Sequence, residues 1–191
     1  MKRLYVIAGC DGAGKTTASY TVLPEILNCN EFVNADEIAK GLSPFQPENV
    51  SIEAGKLMLT RINTLLEAEE HFAFETTLST RSYTSLLKRA QQRGYKVILL
   101  FFWLHSPELA ISRVAHRVKE GGHAIPEDVI RRRYERGLSN LYNLYLPVVD
   151  TWMLIDNSGD PYEVVAEGAY DSTLITNVPI WEKLKTTYYE D

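Results

Sequence analysis

Gly9 to Thr16 reads Gly-Cys-Asp-Gly-Ala-Gly-Lys-Thr and fits G-x-x-x-x-G-K-[ST], the Walker A phosphate-binding loop. Gly9, Gly12 and Gly14 let the backbone turn with its N–H groups facing inward, a nest for anionic oxygens. A helix beginning near Lys15 adds the positive end of its dipole. Residues 9–17, Ala13 and Thr17 included, are the expected cradle for ATP or GTP. Lys15 is expected to reach the β- and γ-phosphates and the Thr16 hydroxyl to ligate Mg²⁺. Asp11 places a carboxylate inside this loop, beside the phosphates, so it is expected to point outward.

Phosphoryl transfer to a hydroxyl also needs a base and cations around the moving group. Asp36, Glu75 and Asp156 each close a short β-like run, and functional residues gather at such loops. Asp36 suits a base that takes a proton from an attacking hydroxyl, or else the cap of the helix after it. Glu75 with Thr77 would hold the acceptor by hydrogen bonds. Asp156-Asn-Ser-Gly159 either lines the base pocket or is a plain turn. Arg113, Arg117, Arg131, Arg132, Arg133 and Arg136 crowd two helices around Gly121-Gly122. A helical wheel leaves Arg132 and Arg136 on the surface, while Arg131 and Arg133 flank the apolar stripe and would turn toward the cleft. Helix, Gly-Gly loop and helix over about 113–133 suit a lid closing on nucleotide, with His123 at its tip as a further donor.

Alternating strand and helix patterns must position these groups, which indicates α/β with a largely parallel sheet. Leu4–Ala8, Glu31–Asp36, His71–Glu75, Lys96–His105 and Trp152–Asp156 read as strands. Helices are expected after Lys15, over Glu48–Glu70, Thr80–Arg93 and Pro107–Lys119, and from Pro126 to near Pro147. The tail from about 160 holds β-like runs at Glu163–Ala169 and Ser172–Thr176, then a helix from Pro179. No repeat or linker divides the 191 residues, so one domain over 1–191 is expected.

Composition narrows the class. Twenty-five acidic against 20 basic residues give a net charge of −5, which argues against a nucleic-acid partner. The longest apolar run, Val97–Leu104, is far short of the roughly 20 residues of a membrane span. Met1-Lys-Arg resembles a signal-peptide start, but the apolar stretch after it ends at Asp11. A cytoplasmic protein is expected. Cys10 and Cys29 suggest neither a disulfide framework nor a metal site.

The chain resembles the zeta-toxin-like P-loop kinases, in particular the short bacterial branch often labelled predicted ATPases. Six stretches carry the resemblance: Gly9–Thr16, Val33-Asn-Ala-Asp36, Gly41-Leu-Ser-Pro-Phe45, Phe74-Glu-Thr-Thr-Leu78, Gly121-Gly-His-Ala-Ile-Pro126 and Ile130-Arg-Arg-Arg-Tyr134. It implies a nucleotide-kinase-like P-loop fold: a parallel sheet with helices on both faces and a helical lid. Zeta toxins phosphorylate a sugar hydroxyl of UDP-N-acetylglucosamine and are held inactive by an antitoxin. The resemblance makes Asp36 the general base, Glu75 and Thr77 the acceptor ligands, and a pair of lid arginines the stabilisers of the transferring phosphate. Arg113 and Arg117 compete for the first of these, and Arg117 is taken as the catalytic one. His123 stands where toxins place the second arginine, and Cys10-Asp11 replaces the branch's usual Pro-Asn.

The expected function is transfer of the γ-phosphoryl group of ATP or GTP, with Mg²⁺, to a hydroxyl of a small molecule, with a nucleotide sugar as one candidate acceptor. An antitoxin is the expected protein partner, with no nucleic acid and no membrane. The alternative is a nucleotide-binding switch or slow ATPase acting through a protein partner, or a binder that has lost turnover.

Overall fold

The computed structural model describes residues 1–122, 124–169 and 172–190. The strands are β1 (Lys2–Gly9), β2 (Glu31–Val33), β3 (Phe72–Thr76), β4 (Tyr95–Trp103), β5 (Thr151–Asp156), β6 (Glu163–Ala169) and β7 (Ser172–Ile175). The helices are α1 (Lys15–Thr21), α2 (Ala35–Leu42), α3 (Ser51–Glu67), α4 (Tyr83–Gln92), α5 (Pro107–Lys119), α6 (Glu127–Asn140) and α7 (Val178–Tyr188). Wider turns continue α1 over Val22–Ile26 and α6 over Leu141–Tyr145.

One sheet runs β2-β3-β1-β4-β5-β6-β7. The first five strands are parallel, and β6 and β7 add antiparallel at one side. Strands β1 and β4 lie inside the sheet and are covered on both faces. Leu4, Val6 and Ala8 are buried together with Tyr5 and Ile7, and Val97, Leu99 and Phe101 with Phe102 and Trp103. Two-sided burial explains why these strands read as unbroken apolar runs rather than alternating ones.

The order places the site. The chain goes from β1 out to β2 and back through β3, then crosses to the other side of β1 to enter β4. That reversal leaves a crevice beyond the carboxyl end of β1, where ligands bind in open α/β sheets. The register brings several chain segments to that edge: Gly9 pairs with Phe102, Val33 with Phe74, and Trp103 with Asp156. Gly9 has φ +141°, and a Cβ there would lie 2.1 Å from the Phe102 carbonyl oxygen, so the strand can meet β4 only as glycine.

One expected element differs. The strand expected over Glu31–Asp36 ends at Val33, and Asp36 lies in the first turn of α2. The helices that border the region expected as a lid are anchored in the core through Val114 of α5 and Ile130 of α6. The antiparallel addition of β6 is held by packing: Gly168 lies flat against the Trp152 ring, which stacks on Trp181 of α7.

Candidate active site

A cleft of about 1200 Å³ opens at the carboxyl edge of the sheet. The phosphate loop, α2, the start of α3, the end of β3, α5 and α6 all contribute to its walls. The loop forms as its glycines require. Gly12 and Gly14 have φ +75° and +81°, and Gly14 starts α1 from the left-handed region. The Asn157 amide after β5 donates to the Ala13 carbonyl at 2.9 Å and ties the loop to the sheet.

Lys15 is buried, not exposed as a waiting anion site would suggest. Its Nζ donates to the Cys10 carbonyl at 2.8 Å and lies 3.6 Å from Glu75 Oε1. The Thr16 hydroxyl donates to Glu75 Oε2 at 2.7 Å, and the Asn34 amide donates to the same oxygen at 2.9 Å. Glu75, expected to hold an acceptor with Thr77, is thus engaged with the phosphate loop. Thr77 also borders the cleft, with its hydroxyl 2.9 Å from that of Ser79. Burial pushes the Cys10 thiol up to about 12, so it stays neutral beside Lys15.

Asn34 is the residue that the sequence reading passed over. Its Oδ1 accepts from the backbone N–H groups of Asp36, at 2.8 Å, and Glu37, at 3.4 Å, while its amide reaches Glu75. Asn34, not Asp36, therefore caps α2. The signal was present in Asn34-Ala-Asp-Glu37, an N-cap residue with Glu three positions on. Capping from Asn34 leaves the exposed Asp36 carboxylate at the cleft wall with no side-chain partner among the described residues. Asn34→Ala should lower stability by about 1–2 kcal/mol, read as a lower melting temperature, while Asn34→Ser should recover most of it. Equal melting of Asn34→Ala and the native protein would remove the capping role.

The arginines separate. Arg113 and Arg117 of α5 and Arg133 of α6 border the cleft. Arg113 Nη2 donates to the Ser158 carbonyl at 3.1 Å. The loop after α5 folds onto Arg117: the Gly122 N–H donates to its carbonyl at 2.9 Å, and a Cβ at Gly122 would meet its Cγ at 2.6 Å. Arg131 does not turn inward; it pairs with Glu108 at the start of α5, 2.5 Å away, and is exposed. That pair holds the Glu108 carboxyl below its ordinary range. Arg132 and Arg136 are exposed, as the wheel predicts. Asp11 is buried at the cleft rather than turned outward. Its side chain is 8% exposed, and Arg133 Nη1 approaches its two oxygens at 3.3 and 3.4 Å. The Arg133 counter-ion at the cleft, rather than an outward turn, accommodates this carboxylate. Asp156 takes the Ser158 N–H and hydroxyl, forming a turn. His123 lies outside the described residues.

Among the described residues no group of three or more His, Cys, Asp or Glu side chains could hold a metal ion. The Thr16 hydroxyl and Glu75 carboxylate, already in contact, are hard oxygen donors of the kind Mg²⁺ takes with phosphates. No helix among the described residues is long and apolar enough to cross a membrane.

The AvrRxo1-ORF1:AvrRxo1-ORF2 complex, solved with sulphate ions and with ATP, shares this fold. Its TM-scores are 0.78 and 0.77 at 18% and 19% identity, over 100% of this chain and 65% of that chain. The PezAT toxin-antitoxin system of Streptococcus pneumoniae aligns with a TM-score of 0.70 at 17% identity, over 100% of this chain and 80% of that chain. This chain therefore spans about two thirds of the AvrRxo1 chain's length. A Haemophilus influenzae protein described only as uncharacterized is 29% identical over 126 residues, which are 66% of this chain and 88% of that protein. The zeta toxin family model matches residues 1–160, and on that match the chain belongs to the zeta toxin family of P-loop kinases.

Proposed function

We propose that this protein transfers the γ-phosphoryl group of ATP or GTP to a hydroxyl of a small molecule. One observation carries the reading: the Lys15–Thr16–Glu75–Asn34 cluster and the exposed Asp36 carboxylate border the same cleft, with Asn34 bonded to both halves. A nucleotide switch that acts through a protein partner has no need of a base aimed at an acceptor. Family membership and the ATP-containing AvrRxo1 structure support the nucleotide.

In this reading the loop N–H groups and Lys15 hold the phosphates, and Lys15 leaves Glu75 to do so. Thr16 and Glu75 would hold Mg²⁺, which when bound neutralises charge on the phosphate oxygens. Asp36 takes the acceptor's hydroxyl proton as that oxygen bonds to the γ-phosphorus. The bond from that phosphorus to the β–γ bridging oxygen breaks, and the nucleoside diphosphate leaves with the electron pair. Thr77 orients the acceptor, while Arg117, Arg113 and Arg133 balance charge over the moving group. The PezAT system supports a protein antitoxin as partner.

The acceptor is sought by incubating the protein with Mg-ATP and a panel of nucleotide sugars, sugars and other hydroxyl metabolites, with mass spectrometry for an added phosphoryl group. One acceptor gaining a phosphoryl group, with stoichiometric ADP, is expected. ADP release at an equal rate with every panel member and with water alone would replace this reading with the slow ATPase.

A further inference from the structure

Arg133 is a cleft arginine whose guanidinium meets an acid of the phosphate loop itself, and the backbone at both ends of that contact is packed against neighbouring elements. On the α6 side, Ile130 and Tyr134 flank Arg133 in the core. The Tyr134 hydroxyl donates to the Leu104 carbonyl at 2.7 Å and accepts from Trp103 Nε1 at 3.0 Å. One turn on, a Cβ at Gly137 would stand 2.6 Å from the Thr77 carbonyl oxygen, so α6 rests directly on the end of β3. Asn140 then donates to the Leu78 carbonyl at 2.7 Å. On the loop side, a Cβ at Gly12 would lie 2.9 Å from the Ala110 carbonyl oxygen of α5, so the backbone after Asp11 is packed hard against that helix. Both backbones are packed closely against neighbouring elements, which leaves the Asp11 and Arg133 side chains to be placed.

A carboxylate at 8% exposure in a loop built for anions is costly unless a partner compensates it. The sequence nevertheless carries one there. Arg133 meets Asp11 through Nη1 alone, and both residues border the cleft. A guanidinium is a planar fork of five donors, so holding one terminal nitrogen on Asp11 restricts where the others point and leaves them free to donate elsewhere.

We propose that Asp11 is a positioning residue: it orients Arg133 so that the remaining guanidinium N–H groups face the transferring phosphoryl group. This rests on the phosphotransfer reading above. The Asp11–Arg133 pair is neutral, so it adds little to ground-state nucleotide affinity. Its effect appears where the phosphoryl group flattens and its oxygens shift outward toward preorganised donors.

The test compares two ligands of the intact protein by calorimetry with Mg²⁺: AMP-PNP for the ground state and ADP with aluminium fluoride for the transition state. Native protein, Asp11→Asn, Arg133→Gln and the double variant are measured. The native protein should prefer the fluoride complex. Asp11→Asn should weaken that complex by about tenfold or more and leave AMP-PNP within about twofold. Arg133→Gln should lose the preference for the fluoride complex over AMP-PNP by a similar factor, with AMP-PNP itself weakened because Asp11 is left uncompensated, and adding Asp11→Asn to it should not lower that preference further, because the two act as one unit. If Asp11→Asn keeps the native preference, or its effect persists undiminished in the Arg133→Gln background, the positioning role is overturned while phosphotransfer stands. If it tightens AMP-PNP by about tenfold, Asp11 is a brake facing the phosphates and the proposal also fails. A native protein that binds AMP-PNP but shows no preference for the fluoride complex overturns the phosphotransfer reading, and this proposal with it. Should Asp11→Asn fail to fold, Arg133→Lys at its half-buried helical position carries the test. Lysine keeps the charge but has no fork to be oriented, so the same selective loss is expected and an unchanged preference overturns the proposal.

Discussion

Replacing Lys15 with alanine is expected to weaken Mg-ATP binding by at least about a hundredfold, since hydrogen bonds to charged groups contribute about 1.5–3 kcal/mol each and Lys15 would make more than one. Lys15 rests on the Cys10 carbonyl and beside Glu75. Losing it also leaves Glu75 without its nearby cation. Glu75 keeps its bonds from Thr16 and Asn34, so the protein should still fold, with a lowered melting temperature. Lys15→Met separates the two effects, because the thioether chain refills the space of the lysine stem without its charge. Calorimetric titration with Mg-ATP and thermal melting on both variants give the answer. Near-native affinity in a folded Lys15→Ala protein would sink the assignment of this loop to nucleotide phosphates.

The phosphate loop was legible because its chemistry dictates residue type and spacing together. The inner strands were legible because burial on both faces writes an apolar run that solvent-facing strands lack. What stayed hidden depends on which side chains meet across the fold. Asp36 and Glu75 drew notice as carboxylates after β-like runs, and a charge-centred reading overlooked Asn34 between them. Only the pairing of Val33 with Phe74 sets Asn34 beside Glu75 at the sheet edge. Arg131 and Arg133 are two residues apart on a helix and point to different sides, so the wheel could not choose between them. The structure gives Arg131 to Glu108 and Arg133 to Asp11. The β-like runs of the tail were visible, but their antiparallel addition to β5 depends on Gly168 lying against Trp152. No spacing within the sequence announces a contact of that kind.

Asp36→Asn should reduce transfer to the acceptor by roughly 10²–10⁴, the usual contribution of a positioned base, with both ligands still bound because the amide is nearly isosteric. The competing roles for Asp36 now have distinct signatures. A capping role is taken by Asn34, whose Oδ1 accepts from the Asp36 N–H at 2.8 Å, so no cap is lost on substitution. What remains is the interaction of an acidic side chain with the first turn of α2, and the stability change should stay under about 1 kcal/mol. A role in holding Mg²⁺ would appear as a Mg²⁺ requirement moved to higher concentration, with the rate recovered there. A base gives a loss of transfer that added Mg²⁺ does not repair and that melting does not report. The slow ATPase behaves differently again, since ADP release into water would survive the substitution. Transfer, ADP release, melting temperature and Mg²⁺ dependence measured on this one variant therefore divide the possibilities, and full transfer at ordinary Mg²⁺ would remove Asp36 from the chemistry.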